Sequence, residues 1–141
     1  MTVRKPVVMT RLTHLGNVIR DLARLRALPQ IARETDAIAN LALERALQIA
    51  AEAIFDIGHH VLAGRGLDVP AKYREVLPAL ARAGVIDSTL LDRLEGLAGL
   101  RNILVHDYAE VELPRLWQLL DERLADLRAI HAAFAAIPEI Q

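Results

Sequence analysis

The chain has 141 residues, the size of one domain, and its 53% apolar content against 25% charged residues excludes a disordered protein. It contains no cysteine, which excludes disulfides, zinc–thiolate sites, iron–sulfur clusters and thiol catalysis. The sequence shows neither a secretory leader nor an uninterrupted apolar run long enough for a membrane span. We therefore predict a soluble cytoplasmic protein.

The charges are distributed unevenly along the chain. Residues 1–33 carry seven basic residues and one acidic residue, whereas residues 109–141 carry six acidic and three basic residues. A basic end can attract phosphates, and an acidic end can meet a basic partner. Two solvated helix faces explain the same pattern, so charge alone does not choose between these interpretations.

Leucine, isoleucine, valine and alanine supply most of the apolar residues, and they recur at helical spacing between proline and glycine breakers. This pattern predicts an all-α bundle of about five helices in a single domain over residues 1–141. Residues 1–33 form its basic N-terminal helix. The predicted helices cover about residues 10–28, 34–63, 72–83 (interrupted by Pro78), 88–106 (capped by Asp87 and Ser88) and 114–137 (opened by Pro114).

The second predicted helix is apolar on more than one side, which is typical of a helix that is central in a bundle or buried again in a dimer. At its end, the adjacent His59 and His60 point about 100° apart, so they do not easily hold one metal. Asp56 lies one turn before His60 and can pair with it, although a simple polar helix end is the alternative. We expect His14 and His131 to lie at the surface or its boundary, and we predict no metal site.

Residues 100–108, with the sequence LRNILVHDY, place several polar residues in an otherwise apolar helix. On an ideal helix Arg101 and Tyr108 lie about 20° apart, whereas His106 lies about 140° from Arg101. One straight helix therefore does not bring the three together. They meet if the helix ends near His106 or if a second copy completes a cleft. Alternatively, Arg101 and Asp107 are surface ion-pair partners and Tyr108 is a boundary residue.

The pattern Arg101-Asn102-x-x-x-His106-x-Tyr108 resembles the Arg-x4-His-x-Tyr motif of HepT-type toxins in the HEPN superfamily. Those toxins are small all-helical ribonucleases encoded beside a minimal nucleotidyltransferase, MntA. Residues 43–50 (LERALQIA) and 52–60 (EAIFDIGHH) are similar to the long central helix of that family, and residues 73–76 and 83–86 resemble its next segment. The resemblance covers roughly residues 34–113.

The resemblance implies a helical bundle that dimerises with two motifs facing a shared cleft, and endoribonuclease activity without a metal or a cofactor. In that cleft a ribose 2′-hydroxyl attacks the neighbouring phosphate, and His106 moves the proton. Arg101 binds the phosphate and stabilises its developing charge. Asn102 donates a hydrogen bond or orients His106, and Tyr108 binds phosphate through its hydroxyl.

The resemblance also implies regulation, because the MntA-type partner of that family attaches AMP to the motif tyrosine, here Tyr108. The adduct would occupy the cleft beside Arg101 and exclude RNA. A second interpretation is a non-catalytic helical partner or regulatory subunit of a nucleotidyltransferase, and a third is a plain helical interaction protein. The complete set of Arg101, His106 and Tyr108 favours the ribonuclease, because a docking module has no need of an Arg–His pair.

Overall fold

The computed structural model describes residues 2–97 and 112–141, which form six α-helices and contain no β-strand. The predicted all-α fold with one long central helix is confirmed. The α-helices are α1 Lys5–Arg26, α2 Gln30–Thr35, α3 Ala37–Gly64, α4 Val76–Arg82, α5 Ser88–Arg93 and α6 Leu113–Ala135, and two 3-10 turns span Tyr73–Glu75 and Pro138–Ile140.

Helix α1 begins at Lys5, earlier than the predicted start near residue 10, because Pro6 suits a first turn whose N–H groups have no intrahelical partner. It ends at Arg26, with Arg24 and Arg26 in the last turn, where cations interact favourably with the helix dipole. The N-terminal helix predicted over residues 1–33 is therefore divided between α1 and α2.

Asp36 separates α2 from α3 and corrects the predicted start of the long helix at residue 34. Its Oδ1 accepts hydrogen bonds from the backbone N–H groups of Ile38, at 3.0 Å, and Ala39, at 3.2 Å. This is an N-cap, which satisfies two of the free N–H groups at the start of a helix. Helix α3 then runs for 28 residues to Gly64, close to its predicted end.

Helix α4 follows directly on the 3-10 turn Tyr73–Glu75. Pro78, which was predicted to interrupt this segment, is the third residue of α4 and lies in its first turn. A proline at that position removes no intrahelical hydrogen bond, so the helix continues through it.

Helix α5 is shorter than predicted. Asp87 caps it by accepting the Leu90 N–H at 2.7 Å, whereas Ser88, the other predicted cap, is its first residue. The helix ends at Arg93 instead of near residue 106, because the chain turns over residues 94–96, where Gly96 has φ +90°. Glycine adopts this left-handed conformation without the steric cost that other residues meet.

The core lies between the three long helices, since α1 packs on α3 and α6, and α3 also packs on α6. Helix α4 packs on α3, and α5 packs on α4 and α6. Gly58 lets α4 approach closely, because an added Cβ would lie 3.0 Å from Val76 and 3.1 Å from Leu80. Residues 53–55, 57–58 and 61–62 of α3 are all buried, so the helix is covered on more than one side, as its apolar pattern indicates.

Two ion pairs hold the ends of the chain to the bundle. Arg33 makes a bidentate contact with Asp121 on α6, at 2.8 and 2.9 Å, and its guanidinium lies 4.7 Å above the Trp117 ring. The hydrogen bonds from Arg33 lower the pKa of the Asp121 carboxyl. Arg65 makes a second bidentate pair with Glu139, at 2.6 and 2.9 Å. Part of the basic N-terminal region is thus paired with the acidic C-terminal region of the same chain.

Candidate active site

The four motif residues, Arg101, Asn102, His106 and Tyr108, lie outside the described residues. The structure does describe the two helices on either side of them along the chain, α5 ending at Arg93 and α6 beginning at Leu113. The contacts that hold these two helices fix where the described chain ends on either side of the motif.

Helix α5 depends on tertiary contacts for its position. It has only six residues, and a helix that short is not stable alone. Leu90 and the following Leu94 are buried, and they hold the helix against the bundle. On the C-terminal side of the motif, Leu116 and Trp117 in the first turns of α6 are buried. The Trp117 Nε1–H also donates to Asn40 Oδ1 of α3 at 2.8 Å. Both flanking helices are therefore fixed to the core.

Asp126 is a buried carboxylate that links α5 to α6. Only 5% of the residue is exposed, and within the described ranges it is the one buried charged residue. Its Oδ1 lies 3.7 Å from Nη1 of Arg93 on α5, and its Oδ2 lies 3.5 Å from Nη1 of Arg123 on α6 itself. Asp126 was not among the residues predicted from the sequence. The available signal was its place one turn before the buried Ile130, on the side of α6 that faces the core.

His60 contacts the residue that precedes α1. Its Nε2 accepts the backbone N–H of Arg4, which precedes α1, at 3.2 Å. Asp56, the carboxylate predicted to pair with His60, is exposed. Burial, together with the nearby cations of Arg11 and Arg4, lowers the pKa of His60. His14 is exposed, as predicted.

His59 and His131 pack against other segments of the chain. The His59 ring is parallel to the Tyr73 ring within 6°, with centroids 5.9 Å apart, and Tyr73 also contacts Phe55 at 5.1 Å. The partly buried His131 lies with Nε2 3.1 Å from the Leu12 carbonyl oxygen, which can only accept a hydrogen bond. Among the residues that the structure describes, no cluster of three or more His, Asp or Glu side chains is arranged to hold a metal ion.

An apolar groove of about 480 Å³ lies between α1 and α3. Beside it, Ile38 is 77% exposed and Leu41 is 66% exposed, an unusual exposure for large apolar side chains. Arg24 and Arg45 add positive charge to the groove, and Asp21 adds the one negative charge in its lining. The lining consists of Val18, Asp21, Arg24, Leu25, Leu28, Ala42, Arg45, Ala46 and Ile49.

Of the helices in the described ranges, none is both long and apolar enough to cross a membrane.

Two solved structures share the fold. The tri-AMPylated HEPN toxin of Shewanella oneidensis, in complex with MNT antitoxin, is 24% identical and matches with a TM-score of 0.82, covering 93% of this chain and 98% of that chain. The cytosolic protein YutE of Bacillus subtilis, of unknown function, is 21% identical with a TM-score of 0.82, covering 95% of this chain and 90% of that chain. These matches confirm the HEPN-like bundle.

Sequence comparison is more specific than the fold. A curated relative, the mRNA nuclease HepT of Shewanella oneidensis, is 36% identical over 80 residues, which make up 57% of this chain and 60% of the relative. The match thus spans about three fifths of that relative's length. A family model described as ribonuclease HepT-like matches residues 16–133. Because that model covers most of the chain, including the motif residues 101–108, the chain belongs to the ribonuclease HepT-like family.

Proposed function

We propose that the chain is a metal-independent endoribonuclease and the toxin of a two-gene toxin–antitoxin system. The observation that carries the proposal is the family match over residues 16–133, which contains the complete motif Arg101, Asn102, His106 and Tyr108. The related sequence named as an mRNA nuclease supports the same activity.

In the proposed reaction His106 takes the proton of a ribose 2′-hydroxyl, and the 2′-oxygen attacks the adjacent phosphorus. A 2′,3′-cyclic phosphate forms as the bond to the 5′-oxygen breaks, and the proton taken up by His106 passes, directly or through water, to that leaving oxygen. Imidazole suits this proton transfer, because its ordinary pKa lies near neutrality. Arg101 holds the phosphate through two parallel N–H groups and stabilises the charge that develops on it. Asn102 and Tyr108 support this arrangement by hydrogen bonding.

The activity can be tested with purified protein and RNA in the presence of a metal chelator. We expect the parent chain to cleave RNA and His106→Ala to lose about 100- to 10,000-fold of the rate, the usual contribution of a general acid–base group. Arg101→Ala should lose roughly 100- to 1,000-fold, as on removal of one transition-state donor. His14→Ala is the matched control, because His14 is an exposed histidine on α1.

If His106→Ala stays folded by circular dichroism and cleaves RNA as fast as the parent, the ribonuclease proposal is wrong. The chain would then be the non-catalytic helical partner of a nucleotidyltransferase. Cleavage that disappears only when chelator is added would instead contradict the metal-independent chemistry.

We further propose that a nucleotidyltransferase antitoxin of the MntA type attaches AMP to Tyr108. A HEPN toxin of this fold is known in tri-AMPylated form in complex with MNT antitoxin, which supports the proposal. Tyr73, the other tyrosine of the chain, is half-buried and its ring packs against Phe55 and His59, so it is poorly placed to accept AMP. A phosphodiester on Tyr108 carries about one negative charge and would compete with RNA for Arg101.

The modification can be tested by intact mass measurement and peptide mapping after incubation with ATP and the cognate nucleotidyltransferase. We expect AMP on Tyr108, no AMP on the Tyr108→Phe protein, and unchanged modification of Tyr73→Phe. The Tyr108→Phe protein should also resist neutralisation by the partner. Adducts confined to Tyr73, or full neutralisation of Tyr108→Phe by binding alone, would contradict this mechanism.

The active form that we propose is a two-fold homodimer with the two motifs in a shared cleft. The described part of the chain offers a surface for it on the N-terminal half of α3, where Ile38 and Leu41 are exposed beside the groove against α1. A second copy of the chain could cover these two side chains across a two-fold axis.

A further inference from the structure

Burial of the Asp126 carboxylate in α6 costs free energy, because it removes a charge from water. Its neighbours Leu124 and Leu127 are buried, and an apolar side chain at position 126 would pack there without desolvating a charge. A carboxylate in such a place is held by cations and, in turn, fixes their position. The arginines that it contacts are Arg93 and Arg123.

The two arginines differ in what they join. Arg123 lies one turn before Asp126 on the same helix, so that contact links α6 only to itself. Arg93 is the last residue of α5, so its contact with Asp126 crosses from one helix to the other. Beyond Arg93 the chain turns over residues 94–96 and then enters the stretch that contains Arg101 and His106.

We propose that Asp126 is a positioning residue for RNA cleavage, which it supports by holding Arg93 and thereby fixing the end of α5. This inference rests on the proposed ribonuclease function. Leu90 and Leu94 hold the short helix α5 against the bundle, and the contact with Asp126 adds an ionic link at its last residue, so loss of that contact loosens the C-terminal end. A shift there displaces the chain that leads to Arg101, and a misplacement of about 1 Å can lower a rate by roughly 100-fold.

The test compares Arg93→Gln with Arg123→Gln. Both variants remove one cation from Asp126, and both side chains are partly exposed, at 58% for Arg93 and 43% for Arg123. We expect Arg93→Gln to lower kcat for RNA cleavage about tenfold with KM unchanged, a smaller loss than full misplacement would cause. Arg123→Gln should keep kcat within about twofold, since it leaves the link to α5 in place. Arg93→Lys, which keeps the charge, should recover part of the loss.

Asp126→Asn separates positioning from direct RNA binding. This variant keeps the charge of Arg93 but removes the charge that holds it, so we expect kcat to fall as in Arg93→Gln, with the salt dependence of RNA binding unchanged. If Arg93 instead contacts RNA directly, Arg93→Gln raises KM and Asp126→Asn has no effect, which overturns the inference. Should Asp126→Asn fail to fold, the Arg93 and Arg123 pair of surface variants still decides the question.

The outcomes also distinguish failure of the positioning role from failure of the proposed ribonuclease function. Equal kcat in Arg93→Gln and Arg123→Gln, with an active parent and an inactive His106→Ala protein, disproves the positioning role alone. An inactive parent disproves the ribonuclease proposal, and the positioning role falls with it. Melting temperature, measured for both arginine variants, serves as the control for folding.

Discussion

At the scale of single residues, one hydrogen bond joins the start of α1 to the end of α3. The imidazole Nε2 of His60 accepts the Arg4 N–H, which requires an unprotonated nitrogen. Close packing supports the contact. Gly64 has no side chain where a Cβ would lie 2.7 Å from the backbone N and Cα of Val3, so the N-terminal segment crosses the end of α3.

This contact predicts a pH dependence of stability between neutral and mildly acidic pH. In the unfolded chain His60 takes up a proton at its ordinary pKa of about 6.5. In the folded chain burial and the cations of Arg11 and Arg4 lower the pKa of His60, so the unfolded state binds more protons as the pH falls. The free energy of unfolding should therefore decrease from pH 7 towards pH 5, by at most about 1.4 kcal/mol per pH unit for this one group.

The measurement is urea unfolding at several pH values for the parent, His60→Gln and His14→Gln. Glutamine can accept the Arg4 N–H through its side-chain oxygen but does not titrate, so His60→Gln should show a flatter pH dependence. His14→Gln, which removes an exposed histidine, should keep the slope of the parent. Equal slopes in the parent and in His60→Gln would contradict the prediction.

At the scale of secondary structure, the sequence predicted the long helices well and the short ones poorly. Helices α3 and α6 carry apolar residues at helical spacing over many turns, so their period outweighs local ambiguity. Their ends at Gly64 and Ala135 lie within a few residues of the predicted ends. The break at Asp36 was not predicted, because Glu34 and Thr35 are compatible with a continuing helix although Asp36 is a good N-cap.

The predicted continuous helix over residues 88–106 is interrupted at residues 94–96 for a related reason, and residues 98–106 lie outside the described part of the chain. Its leucines keep helical spacing through Leu97, and one glycine costs a helix only about 1 kcal/mol, so Gly96 was compatible with a continuous helix. The left-handed conformation of Gly96, at φ +90°, ends it instead. The local sequence pattern does not reveal whether tertiary packing keeps a glycine in the helix or places it in the left-handed conformation.

The candidate site likewise has features that a local sequence pattern predicts and features that it does not. Arg101, His106 and Tyr108 suggested phosphate chemistry through their resemblance to the HepT-type motif, and a resemblance of this kind needs only the local sequence. The contact between Arg93 and Asp126 joins two helices that are distant in sequence, so no local period or motif indicates it. Tertiary ion pairs of this kind become visible only once the helices are packed.

At the scale of the whole molecule, the charge asymmetry of the sequence has a partial internal explanation. Arg26 and Arg33 from the basic end both contact Asp121 on α6, so these charges are used within the chain. Arg24 and Arg45 line the groove between α1 and α3, where they are not engaged in this pairing. That surface combines positive charge with exposed apolar side chains, and it is the part of the described structure best suited to assembly.

The proposed dimer predicts that a charge at Leu41 separates the two copies. A two-fold interface contains each residue twice, and burying one leucine contributes about 1.5 kcal/mol or more, so Leu41→Asp should raise the dimer dissociation constant by about 100-fold or more. Sedimentation at micromolar concentration should show the parent as a dimer and Leu41→Asp as a monomer. RNA cleavage should fall in parallel, because both copies contribute a motif to the cleft that we propose.

Leu67→Asp is the matched control for this experiment. Leu67 is also an exposed leucine, 45% accessible, but it follows the opposite end of α3 from Leu41. It should leave both the dimer and the cleavage rate unchanged. A parent protein that sediments as a stable monomer contradicts the dimer itself. A Leu41→Asp protein that remains dimeric and active would instead place the interface elsewhere, because a desolvated carboxylate in each copy cannot be accommodated within an apolar contact.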